Sequence, residues 1–398
     1  MITIREARAL VLERARRVLP SELVPVTAAP GRVLAADVVS DCDLPPFDRV
    51  MMDGFAVRAA DVAPGARLRV VDEVAAGARG ERPVGPGEAH AIMTGAPLPP
   101  GADAVVPIEW TRSEGGEVLL DRALQPGQHV APRGEDLRAG QAVARAGEAV
   151  TALSLSLLIG GGAARVAVVR RPRVALLTSG NELVPPGAPL ERGQIRESNG
   201  PALAALLAQT GAEIDNLGVA RDTREHLAER LERAAGADVV VLTGGSSVGK
   251  YDLSAEMVEA RGARRVFDRI SVKPGKPTLF HERDGQLFFC LPGNPVAALM
   301  TGRVLVAPAL AALGGRAVPD WTPHKRPLLG PVKRVAERDL LAPMRREGEG
   351  LVFDGWHGSG DLACLARAEG FAFVERGAGI APAGTPADWF PLPPDGAW

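Results

Sequence analysis

The chain is expected to be a multidomain α/β protein. A central doubly wound parallel-sheet module would be joined by a β-rich inserted domain, a mixed N-terminal domain and a small C-terminal β domain. Three observations lead there. The 398 residues exceed what one hydrophobic core ordinarily serves. Between Arg173 and Leu313, apolar runs of strand length alternate with segments of helical period, as in a parallel sheet covered on both faces. On either side, short apolar runs alternate with Gly/Pro turns, the pattern of small β domains.

Composition narrows the class. Apolar residues are 46% and charged residues 24% of the chain, a globular balance. A formal charge of −2 supplies no global field for nucleic acid or an anionic membrane, so any anion site must be local. Cys42, Cys290 and Cys364 lie far apart. Such a sparse, odd set fits a reducing, cytoplasmic setting better than a disulfide scaffold. The six histidines are scattered too, which argues against a zinc site. The start, from Met1 to Glu6, lacks a signal-peptide layout. Gly, Pro or Arg interrupts every long apolar run, so no transmembrane helix is expected.

Residues 3–19 read as a helix opened by Thr3 and Glu6 at capping-box spacing. From Leu44 to Leu137 the runs Arg67–Val74, Ala104–Glu109 and Glu117–Leu120 predict strands. An apolar helix near Thr151–Ile159 follows, and residues 140–168 are expected to pack with the N-terminal helix. In the central region Val174–Thr178, Glu213–Ala220, Ala237–Thr243 and Leu287–Leu291 read as strands. Pro201–Gln209, Thr223–Ala235, Leu253–Ala260 and Val296–Leu313 read as helices, with Pro201 at the first helical position. A Pro-rich linker then leads to short strands and a helix near Asp361–Ala368. The domains expected are 1–43 plus 140–168, 44–139, 169–315 and 320–398.

Ligands of an open α/β sheet bind outside the carboxyl ends of its strands, and four loops fall there. In Thr178–Glu182, Gly180 permits a sharp turn and Glu182 brings a carboxylate to the sheet edge. Thr243–Asp252 offers Gly244 and Gly245 for close backbone approach, Ser246 as a hydroxyl donor, and a following helix, an anion nest. It matches neither GxxxxGK[ST] nor GxGxxG, and Asp252 also suits a helix N-cap. Lys273-Pro274-Gly-Lys276-Pro holds two cations on a stiff backbone. Pro292-Gly-Asn294-Pro295 aims a helix start at the crevice, with Asn294 as cap. Asp222, three residues before Glu225, reads by spacing alone as a helix cap. Within the inserted domain the segments around Asp53, Thr94 and Asp136 are dense in polar and turn residues.

Together these segments resemble the molybdopterin molybdenumtransferase family, the MoeA and gephyrin E-domain group. The pieces are PPFDRVMMDGFAV, IMTGAPLPPGADAVVP, RGEDL, TSGNEL, ADVVVLTGGSSVGKYD, KPGKP and LPGNP, in family order nearly end to end, with WHGSGDLA beyond. The resemblance implies a homodimer of four-domain subunits, its cleft between the central module of one chain and the inserted domain of the other. It implies Mg²⁺-dependent insertion of molybdate into adenylylated molybdopterin with release of AMP. Glu182, Asp222 and Asp252 would supply or orient metal ligands. Gly244, Gly245, Ser246 and the Pro292–Pro295 turn, Asn294 included, would cradle phosphate or pterin. Lys273 and Lys276, on either side of Pro274, would attract the oxyanion, with Ser359 and Arg338 completing its site. Asp53, Thr94 and Asp136 would act across the dimer. The molybdopterin adenylyltransferase is an implied partner, and neither nucleic acid nor membrane is. The chain departs from the pattern at Asn181, where many relatives carry Asp, and at Ser246 and Lys250. An adenylyltransferase, a non-catalytic scaffold and a tungsten-preferring homologue are the competing readings.

Overall fold

In Val239–Thr243, Val239 and Val241 enter one hydrophobic core while Val240 and Leu242 enter another. Arg173–Ser179 divides the same way, Leu176 to the first, Ala175 and Leu177 to the second. Successive strand side chains point to opposite faces, so a run apolar at every position needs cover on both. Ile4–Ala15, Asn199–Ala208 and Pro295–Leu313 cover one face; Arg224–Arg233 and Leu253–Glu259 cover the other. This computed structural model describes residues 1–244, 253–318, 321, 324–358 and 360–392. The chain divides into two units. One holds Met1–Glu22, Gly31–Val33 and Val168–Trp398; the other holds Leu23–Pro30 and Leu34–Ala167.

The central sheet of the first unit has six strands, ordered Glu213–Ala220, Arg173–Ser179, Val239–Thr243, Gln286–Leu291, Leu279–Arg283, Arg264–Phe267. The first four are mutually parallel. Leu279–Arg283 runs against both its neighbours, so the sheet is mixed where a parallel one was expected. It and Arg264–Phe267 went unread because charged residues end both strands. The reversal matters for the site. An antiparallel strand begins at the edge where its parallel neighbours finish, which brings Lys273–Pro277 there. That loop leaves Val272–Lys273, a strand of a second sheet in the same unit, ordered Val272–Lys273, Asp339–Glu347, Gly370–Val374, Pro386–Pro391, His324–Pro327.

Several local expectations are corrected. Thr223, not Asp222, caps Arg224–Arg233, its hydroxyl accepting from the His226 N–H at 3.3 Å; this frees the Asp222 carboxylate. The helix with Pro201 starts at Asn199, so Pro201 is third rather than first, a position whose N–H has no intrahelical partner anyway. Asn294 stands at the N-cap but its side chain makes no cap bond. The φ of Gly180 is not left-handed. Space constrains it instead, since a Cβ would lie 2.7 Å from the Glu182 carboxylate. The N-terminal helix ends at Ala15 and carries the capping box, Glu6 N–H to Thr3 Oγ1 at 3.2 Å and Thr3 N–H to Glu6 Oε2 at 2.7 Å. It lies in the first unit's core beside Pro295–Leu313. That 19-residue helix has mean hydropathy 1.8, enough by length and composition to cross a membrane, yet it is buried in that core. It is interrupted by π-helical Gly302–Val306.

The second unit is built on a six-stranded mixed sheet, ordered Ala104–Pro107, Gly54–Val57, Glu88–Ile92, Arg67–Val74, Glu117–Leu120, Thr111–Glu114. It also carries the helix Ala152–Gly160, of which only Leu158 is buried.

Candidate functional site

The carboxyl edge of the central sheet opens into a cleft of about 1980 Å³. Glu182, Asp222, Gly244, Lys273, Pro274, Lys276, Pro292, Asn294, Pro295 and Arg338 all line it. Gly245, Ser246, Lys250, Asp252 and Ser359 lie outside the described residues. Arg338 is far from the lysines in sequence. It arrives because Val272–Lys273 pairs in parallel with Asp339–Leu340, which sets residue 338 level with Ser271, two residues before the KPGKP loop begins.

Side chains in the cleft are held by local bonds. The Ser179 hydroxyl donates to Asp222 Oδ1, and the Asp222 N–H donates to Asn181 Oδ1 at 3.2 Å. Asn181 thus supports the Asp222 loop. Gly244 has φ +94°, and a Cβ there would come within 2.1 Å of the Ser179 carbonyl, so two of the loops touch through a residue without a side chain. Neither Glu182 nor Asp222 forms an ion pair among the described residues. No group of three or more His, Cys, Asp or Glu able to hold a metal occurs among the described residues.

Two cleft residues were missed in the sequence. Glu197 and Asn199 are each 7% exposed and line the cleft. Glu197 Oε1 accepts from the Gly200 N–H at 2.7 Å and the Thr178 hydroxyl at 3.3 Å. Asn199 Nδ2 donates to the Gly293 carbonyl at 2.7 Å and to Thr243 Oγ1 at 3.3 Å, and Thr243 Oγ1 donates to the Pro292 carbonyl at 3.0 Å. Buried polar groups bonded on several sides fix geometry, and these tie the edge of the sheet to the turn before Pro295. Their signal was the tripeptide Glu197-Ser-Asn199 at a helix start, which local spacing reads as a cap only.

The remaining named residues are in the second unit. The Thr94 N–H and hydroxyl both donate to Asp53 Oδ1 at 2.7 Å. Those two bonds, the backbone one first, hold the Asp53 carboxyl below its ordinary range. The Asp53 and Thr94 segments meet again where Gly95 N–H reaches the Val50 carbonyl at 2.9 Å. The Asp136 segment joins them through Arg133 N–H to Asp48 Oδ1 at 2.8 Å. The Asp136 side chain is exposed.

Residues 2–162 match the family described as "MoeA N-terminal region (domain I and II)", and residues 175–312 match the "Probable molybdopterin binding domain". A molybdopterin molybdenumtransferase of Nostoc sp. is 36% identical over 90% of this chain and 85% of its own length. Molybdopterin molybdenumtransferase 2 of Mycobacterium tuberculosis is 36% identical over 83% of this chain and 84% of its own. The crystal structure of a molybdopterin biosynthesis MoeA protein from Pyrococcus horikoshii superposes over 100% of both chains, with TM-score 0.82 at 34% identity. Sequence along nearly its whole length and fold over all of it agree: the chain belongs to the molybdopterin molybdenumtransferase family.

Proposed function

We propose that the cleft is where molybdenum from molybdate is inserted into adenylylated molybdopterin, with release of AMP. The family is one of transferases in molybdenum cofactor biosynthesis; the substrate form, the leaving nucleotide and a role for Mg²⁺ are our reading. One observation carries it: carboxylates without an ion-pair partner among the described residues share a single cleft at the sheet edge with cations. Glu182 and Asp222 stand in the same cavity as Lys273, Lys276 and Arg338.

The residues fit Mg²⁺, which commonly takes one or two carboxylates and completes its shell with phosphate oxygens and water. Glu182 and Asp222 would hold it, with Asp252 as a third candidate. When bound it would offset charge on the phosphoanhydride. The chain's own contribution is placement. Ser179 orients Asp222. Lys273, Lys276 and Arg338 draw the oxyanion and phosphate ends into the cleft, and the backbone around Gly244 and Pro292–Pro295 lets the ligand approach closely.

Asp53, Thr94 and Asp136 fit a contribution to the cleft of a second copy, acting in a cytoplasmic homodimer. The helix Ala152–Gly160 supports pairing, since Leu153 is 87% and Ile159 50% exposed, an apolar surface of the kind that interfaces cover. The molybdopterin adenylyltransferase, as supplier of the activated pterin, is the natural transient partner.

The test is AMP release and cofactor formation from adenylylated molybdopterin and molybdate, with and without Mg²⁺. Asp222→Asn and Asp53→Asn should each lose about 10²-fold or more, the scale of a lost transition-state contact, while oligomeric state persists. Wild-type rates in both would remove these side chains from the reaction. AMP transfer from ATP to molybdopterin would instead identify an adenylyltransferase.

A further inference from the structure

One cleft feature is used by none of the roles above. His357 lines the cleft, its side chain fully exposed. Its Nδ1 lies 3.3 Å from Asp361 Oδ2, and its backbone N–H donates to that same oxygen at 3.1 Å. The other carboxylate oxygen accepts the Cys364 N–H at 3.0 Å. These bonds, that of Cys364 first and the His357 backbone next, hold the Asp361 carboxyl below its ordinary range, so it is charged at neutral pH. A carboxylate beside Nδ1 favours the proton there, leaving Nε2 as the ring atom open to a ligand. Nε2 has no hydrogen-bond partner among the described residues.

We propose that His357, oriented by Asp361, is an anion-binding residue of the cleft that engages a tetrahedral oxyanion only when its ring is protonated. The neutral ring offers Nε2 as an acceptor, which an oxyanion cannot use; the imidazolium offers a charged donor. The surrounding charges are steady by comparison. Lys273, Lys276, Arg196, Arg224 and Arg338 line the cleft as cations, and Glu182, Glu197, Asp222 and Glu225 as carboxylates. On the loop before Asp361, Asp354 is paired with Arg345 at 3.1 Å. His357 is the one imidazole among the described cleft residues, the side-chain type that changes charge between about pH 5 and 8. The proposal rests on the reading that anionic ends of the substrates bind here, and two sources share that chemistry: molybdate and the phosphate of the nucleotide.

Calorimetric titration of the full-length protein with sodium molybdate alone, and with AMP alone, at about pH 6 and pH 8 separates them. With the ligand His357 contacts, wild-type affinity should fall with rising pH by about 1.5- to 5-fold more than that of His357→Gln, the range expected for an exposed charged contact. The variant cancels the ligand's own titration. Asp361→Asn keeps the helix cap but should move the midpoint of the wild-type pH dependence lower, which a purely structural role would not do. An identical pH dependence in wild type and His357→Gln with both ligands overturns the proposal and leaves the functional reading standing. Absence of wild-type binding to either ligand at both pH values overturns the two together.

Discussion

Replacing Gly244 with Ala tests how the cleft is assembled. Two costs add at that position. The backbone has φ +94°, which an L residue occupies at a penalty of about 1–2 kcal/mol. The new Cβ would also lie 2.1 Å from the Ser179 carbonyl oxygen. Relief requires one strand end or the other to move by about 1 Å, and such overpacking costs about 1–3 kcal/mol. Gly211 provides the control. It has φ +85° with nothing within 4 Å of a Cβ, so Gly211→Ala should show the backbone penalty alone. In urea unfolding followed by circular dichroism, Gly244→Ala should therefore lose about 2–5 kcal/mol and Gly211→Ala about 1–2 kcal/mol. The displaced residue carries the hydroxyl bonded to Asp222. A shift near 1 Å can cost about 10²-fold in rate, so AMP release should fall in Gly244→Ala and hold in Gly211→Ala. Equal stability and equal activity in the two variants would refute this account of the contact.

Two further outcomes are expected. Thr94→Val removes the hydroxyl bond to Asp53 and keeps the backbone bond, so carbon-detected NMR should show the Asp53 carboxyl pKa rising part of the way to its ordinary value. Because that pKa is lowered in the native state, the contribution is present above the unfolded carboxyl pKa and is lost as pH falls through the folded one. Stability curves of variant and wild type should therefore converge in acid, and curves that stay apart would contradict the assignment. Leu153→Glu places a charge on the exposed apolar helix Ala152–Gly160; if the proposed homodimer forms through this helix, sedimentation should show a dimer in wild type and a monomer in the variant, and an unchanged dimer would put the interface elsewhere.

The sequence carried the parts of this site that are local. The apolar run at Ala237–Thr243 needs no partner to be read as a buried strand, and Gly244 and Lys273-Pro274-Gly-Lys276 announce loops by composition. What it did not carry depends on pairing. Leu279–Arg283 is an exception: it runs against Gln286–Leu291, and the two residues between the strands, Asp284 and Gly285, both have positive φ and make the Asp-Gly hairpin turn that a sequence can announce locally. Asp222 and Thr223 have equal standing as caps by composition. Only the competing bond from Ser179, 43 residues away, decides between them. Glu197 and Asn199 look like surface polar residues because their burial comes from strands and turns remote in sequence. The N-terminal capping box was readable for the opposite reason, since both its bonds span three residues.

The pairing of Val272–Lys273 with Asp339–Leu340 has a mechanical consequence. It ties Lys273, opposite Leu340, and Arg338, the residue just before the paired stretch, to a ladder of a different sheet from the one whose strand ends carry the Glu182 and Asp222 loops. If the two sheets rock, the basic pair travels as a single jaw. The acidic jaw stays with the other framework, so breathing of the crevice would alter the gap between opposite charges without disturbing the spacing within either set.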